Sequence, residues 1–109
     1  MVANISPKDL KAKLDAGEDI IVIDVRNPFE LDISQLEFAQ HIVLDELPER
    51  STEIPQDKPV VMVCRSGGRS MQACQFLANQ GWDADKLLNL DGGILAWAHD
   101  VDPSLPTFY

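Results

Sequence analysis

The chain has 109 residues, 45% of them hydrophobic and 25% charged, a composition that fits one compact domain around one modest core. Its formal net charge of -9 argues against nucleic acids and anionic membranes as partners, because both require a basic footprint. The opening "MVANISPKDL" carries no apolar run behind a basic start, and no stretch is long enough to cross a bilayer, so a soluble cytoplasmic protein is expected.

Ser6, Pro7 and Asp9 punctuate the start of a first helix and Gly17 its end, with Leu10 and Leu14 as the apolar stripe. "DIIVIDV" (19–25) is a near-continuous β-branched run, the pattern of a strand covered on both faces in a parallel sheet, and Asn27-Pro28 breaks it. Residues 29–40 read as a short helix or two and a loop, "HIVL" (41–44) as a short strand, and "DELPER" as a turn or short helix ending near Pro48. "PVVMV" (59–63) is a second buried strand, and residues 69–80 form a helix stopped by Gly81. "KLLNL" (86–90) is a third strand, "DGG" a turn and "ILAWAHD" a last helix. The tail 101–109, "VDPSLPTFY", reads as an extended strap in which Leu105, Phe108 and Tyr109 pack on the domain or reach a partner. Strands alternating with helices at this spacing imply a single α/β domain over residues 1–109 with a mostly parallel sheet. Ligands of such sheets sit at the carboxyl ends of the strands, and Cys64 falls at one of them.

Two cysteines do not make a disulfide framework, so each is judged singly. Cysteine is among the most buried residue types, and Cys64 would ordinarily be a small hydrophobe finishing its strand. The loop "CRSGGRS" (64–70) argues otherwise. Gly67 and Gly68 let the backbone turn, loop N–H groups converge, and a helix N-terminus adds partial positive charge. Stabilised by these groups and by Arg65 and Arg69, the Cys64 thiol is expected to have a lowered pKa and to act as a nucleophile. Four residues separate Cys64 from Arg69. Cysteine-dependent protein phosphatases use a loop one residue longer, sized for a tetrahedral phosphate. The tighter loop suits a smaller group on sulfur, such as one further sulfur atom.

With these features the chain resembles the rhodaneses, single-domain sulfurtransferases. The resemblance runs through "ISPKDLKAKLDAG", "IDVRNPFE" (23–30), "CRSGGRS" (64–70) and "LLNLDGGILAWAHD" (87–100), in that order. It implies a parallel sheet of four or five strands flanked by helices on both faces. It also implies a thiosulfate sulfurtransferase activity, in which a sulfane sulfur passes from thiosulfate or a persulfide donor to Cys64 and on to cyanide, a thiol or a sulfur-carrier protein. A cysteine desulfurase is a further candidate partner. The alternatives are a non-catalytic docking module of the same fold and a phosphatase or arsenate reductase. The segment "SQLEFAQHIVL" (34–44) departs from the family, with Gln35 where histidine is common and Glu37-Phe38 in place of Pro-Gly, which bears on donor preference.

The resemblance also implies that Asp24 and Arg26, at the carboxyl end of their strand, support the loop through hydrogen bonds or a fork-shaped ion pair. Arg69 either binds a donor's sulfonate or braces the loop against Asp24 or Glu30; as the first helical residue it is expected to brace, leaving Arg65 as the exposed anion contact. Ser66 completes the turn or donates to the persulfide, and Ser70 caps the helix. Cys74 belongs to an apolar helix face, out of disulfide reach of Cys64. His41 and His99 lack partner patterns, so no metal site and no cofactor is assigned. Trp82 and Trp97 read as packing residues, with Trp97 near the pocket.

Overall fold

The computed structural model describes residues 2–109. Five strands, β1 (Ala3–Ile5), β2 (Ile21–Asp24), β3 (Gln40–His41), β4 (Val60–Val63) and β5 (Leu87–Leu90), form one sheet in the order β1-β5-β4-β2-β3. Every pairing is parallel. The helices are α1 (Pro7–Asp15), α2 (Pro28–Ile33), α3 (Leu47–Arg50), α4 (Gly68–Asn79) and α5 (Gly93–Asp100). The α/β class and the parallel sheet expected from the sequence are both present.

The β-branched run of β4 explains the layering. Val60, Met62 and Cys64 point to one face, where they pack with Leu47 of α3 and with Ala73, Cys74 and Leu77 of α4. Val61 and Val63 point to the other, against Leu10 of α1 and Ile94 and Trp97 of α5. A strand buried on both faces has no polar side to show, which is why "VVMV" reads as continuous hydrophobicity. Cys64 continues this alternation one residue past the strand, so its side chain enters the α4 face at the carboxyl edge of the central strand.

Three elements differ from expectation. The strand β1 forms although its sequence carries no strand signal; it exists by pairing Ala3, Asn4 and Ile5 with Leu88, Asn89 and Leu90. Pro48 begins a helix instead of ending one, sitting in the first turn of α3 where its missing N–H leaves no bond unmade. The strand expected at 41–44 is only Gln40–His41, because Leu44 already enters a 3-10 turn over Leu44–Glu46. Helix α1 matches closely: Ser6 Oγ accepts from the Asp9 N–H at 3.1 Å and Pro7 opens the helix. Along the tail, Leu105 packs on the α1/α5 core and Tyr109 is half-buried, whereas Phe108 is 82% exposed.

Candidate active site

The segment from Cys64 to Ser70 joins β4 to α4, and its peptide groups are oriented from both sides. On one side the first turn of α5 takes the loop's carbonyls: the Ile94 N–H donates to Cys64 O at 2.9 Å and the Leu95 N–H to Arg65 O at 3.2 Å. In a trans peptide the N–H points opposite to the C=O, so holding the Arg65 carbonyl toward α5 turns the Ser66 N–H the other way, and that N–H is one of the backbone donors acting on Cys64. On that other side lies the sulfur. The Gly67 N–H donates to Cys64 Sγ at 3.1 Å and the Ser70 N–H at 3.3 Å, with Ser70 Oγ 3.2 Å away.

Burial works against a thiolate here, since the Cys64 side chain is enclosed. The Ser70 hydroxyl and the backbone N–H groups of Ser70, Gly67 and Ser66 together outweigh it, and the Cys64 pKa falls below its ordinary value of 9.0. The other cysteine shows the contrast. Cys74 is buried without such a cradle, and desolvation pushes its thiol up to about 12. Both cysteines are free thiols.

Two glycines make this loop possible, and a third is dispensable. Gly67 has φ +108°, the left-handed region that other residues adopt at a cost. Gly93 has φ +64°, and a Cβ there would lie 2.4 Å from Arg65 O and 2.5 Å from Cys64 O, so α5 can dock on the loop only through a glycine. Gly68 does not share this role: its φ is not positive and a Cβ would meet nothing within 4 Å.

Ser70, expected as the cap of this helix, lies inside α4, whose N-cap is Gly67, and turns its hydroxyl to the sulfur, while Asn89 behind it carries no local sequence signal. Ser70 Oγ donates to Asn89 Oδ1, and Asn89 Nδ2 donates to Gly67 O at 3.2 Å and to Asn4 Oδ1 at 3.0 Å. Asn89 of β5 thus holds the loop's glycine and sets the rotor of the hydroxyl that faces Cys64. The serine has one proton. While Cys64 is a thiol that proton serves Asn89; when Cys64 ionises, it can turn to the sulfur.

The arginines separate into three environments. Arg26 is fully buried, with Nε and Nη2 on the Asp24 carboxylate at 2.8–3.0 Å and further bonds to Ser34 O, Ser34 Oγ and Glu30 O. The side-chain hydrogen bonds of this pair run to Glu30, Ser34 and Tyr109 and not to the 64–70 loop it was expected to support, and His41 Nε2 lies 2.6 Å from Arg26 O. Arg69 grips Glu30 with both Nη atoms, at 2.6 and 2.9 Å. That contact holds the Glu30 carboxyl below its ordinary value, the Arg69 hydrogen bond being the largest cause. Arg65, expected as the exposed anion contact, is half-buried: its Nε–H donates to the Tyr109 backbone oxygen and its guanidinium lies 5.3 Å from the centre of the Tyr109 ring. Ser66 is exposed at the turn.

An open groove of about 720 Å³ lies elsewhere, between α1 and the end of α5, lined by Leu14, Leu36, Phe38, Trp97 and Leu105 among others. None of its residues belongs to the Cys64 loop. Trp97 and the atypical Gln35, Glu37 and Phe38 border this groove, with Phe38 and Trp97 ring centres 5.3 Å apart.

A parallel sheet with a low-pKa thiol in a strand-to-helix loop, at the carboxyl edge of the central strand, defines an α/β protein built around one cysteine. More particularly, the chain belongs to the rhodanese-like domain family, whose profile matches residues 6–100. A sulfurtransferase of Allochromatium vinosum is 42% identical over 98 residues, covering 90% of each chain. YtwF of Bacillus subtilis is 37% identical over 102 residues, 94% of this chain and 96% of that protein. The adenylyltransferase and sulfurtransferase MOCS3 of Sus scrofa is 33% identical over 95% of this chain, which spans 27% of that longer protein. Among solved structures, a rhodanese-related protein from Thermoplasma volcanium has a TM-score of 0.77 at 30% identity over 95% of each chain.

Proposed function

We propose that this protein is a sulfurtransferase in which Cys64 is the nucleophile. The observation that carries the reading is the cradle of Gly67 N–H, Ser70 N–H and Ser70 hydroxyl around a buried sulfur, since it favours negative charge at that atom. The membership of the family and the sulfurtransferase relatives support the same chemistry.

With thiosulfate as donor, the Cys64 thiolate attacks the outer sulfur. The S–S bond of thiosulfate breaks, sulfite leaves with the electron pair, and Cys64 becomes a persulfide, Cys64–S–S⁻. The terminal sulfur then passes to a thiophilic acceptor such as cyanide, giving thiocyanate and restoring the thiolate. The backbone of Ser66, Gly67 and Gly68 surrounds the new charge. In this reading Arg65 completes the loop, and the Arg69–Glu30 and Arg26–Asp24 pairs support it. A protein persulfide as donor and a small sulfur-carrier protein as acceptor fit the net charge of -9 better than free anions, and MOCS3 joins such a domain to an adenylyltransferase. Among the described residues no helix is long and apolar enough to cross a membrane, and a cytoplasmic setting suits a thiol that must stay reduced between turnovers.

The test is thiocyanate formation from thiosulfate and cyanide. Wild type should form it and Cys64→Ser should not; equal rates from both proteins would overturn the reading.

A further inference from the structure

Arg26 and Arg69 are each neutralised by a carboxylate, Asp24 and Glu30 respectively. Arg65, next to Cys64 in the loop, has no carboxylate side-chain partner among the described residues. Yet its guanidinium is occupied. The strap after α5 brings Tyr109 back over the loop, where its backbone oxygen accepts from Arg65 and its ring centre lies 5.3 Å from the Arg65 guanidinium and 5.9 Å from that of Arg26. The Tyr109 hydroxyl also accepts from Arg26 Nη1. Pro103, Ser104, Thr107 and Phe108 along the strap are exposed, so Tyr109 anchors a segment otherwise lightly held.

We propose that Tyr109 is a specificity-determining residue, resting on the sulfur-transfer reading above: it withholds Arg65 from small anionic donors and thereby disfavours them relative to uncharged ones. A free anion such as thiosulfate meets a chain of net charge -9 and finds the local cation already engaged. A donor without that charge has no need of Arg65 and is indifferent to the strap.

Two alkylating agents that differ by one charge, iodoacetate and iodoacetamide, read this directly, because both displace iodide from the same carbon and need only the Cys64 thiolate. In Tyr109→Ala the ratio of the iodoacetate rate to the iodoacetamide rate rises about threefold at low ionic strength, the scale of one partly exposed charge contact. KM for thiosulfate falls by a similar factor. In an Arg65→Ala background the same substitution leaves the ratio unmoved. Should Tyr109→Ala fail to fold, Tyr109→Leu, which keeps the apolar bulk but not the aromatic face, gives the same rise. An unchanged ratio in the folded variant overturns the inference, as does an equal rise without Arg65. An alkylation ratio that responds as stated, with no thiosulfate turnover in any variant, upholds the role of Tyr109 toward anions and instead rejects sulfur transfer.

Discussion

The reactivity of Cys64 is a contest between burial, which disfavours the thiolate, and hydrogen bonds, which favour it more. Among those bonds the Ser70 hydroxyl is the largest single contribution, so Ser70→Ala should raise the midpoint of the pH–alkylation profile by about one pH unit, the scale of a hydrogen bond to a charged atom. A profile unmoved by Ser70→Ala would place the stabilisation wholly in the backbone. Glu30 gives a prediction of the opposite sign. Its carboxyl is held below the ordinary 4.5, so its ion pair with Arg69 contributes stability above that pH and loses it as pH falls through the depressed value. Glu30→Gln should therefore remove part of the acid-induced loss of stability below about pH 4.5, measured by urea denaturation at stepped pH. Identical acid profiles for the two proteins would show that the pair carries no such linkage.

At the scale of elements, the site is a junction of β4, α4, β5 and α5, and the glycines show which contacts make it. Gly93→Ala drives a Cβ into the Cys64 and Arg65 carbonyls at a positive φ and should cost about 2–4 kcal/mol in chemical denaturation. Gly68→Ala meets open space and should change stability by less than about 1 kcal/mol. Equal costs would contradict the docking of α5 as the loop's backing. These elements also show what the sequence could disclose. Strands β2 and β4, helices α1 and α4 and the position of Cys64 are legible because each is written in consecutive residues: a β-branched run, a cap, a glycine turn. The link from Ser70 to Asn89 spans 19 residues and that from Asn89 to Asn4 spans 85, and no local pattern signals either. For the same reason β1 has no local signature, being a strand only through its pairing with β5. Its Asn4 nonetheless reaches the site. The bracing of Arg69 by Glu30 was within reach because charge and helix position limit the partners of an arginine. The capture of Arg65 by Tyr109 was not, since it depends on where a proline-bearing tail returns.

At the scale of the whole molecule, the protein's field and its site act in opposite directions on an anion. The chain carries a net charge of -9, while the loop N–H groups offer positive potential only at short range. Screening shortens the long-range repulsion, the Debye length falling from about 30 Å at 0.01 M salt to about 10 Å at 0.1 M. Thiosulfate turnover should therefore rise over that range, and a flat response would show that the overall charge does not govern access. All of this presumes that sulfur travels through Cys64. Intact-mass measurement after thiosulfate treatment, without an acceptor, tests that most directly. The wild-type chain is expected to gain about 32 Da, one sulfur atom, and Cys64→Ser to gain nothing. Equal gains on both proteins, or none on wild type from thiosulfate and persulfide donors alike, would contradict the account.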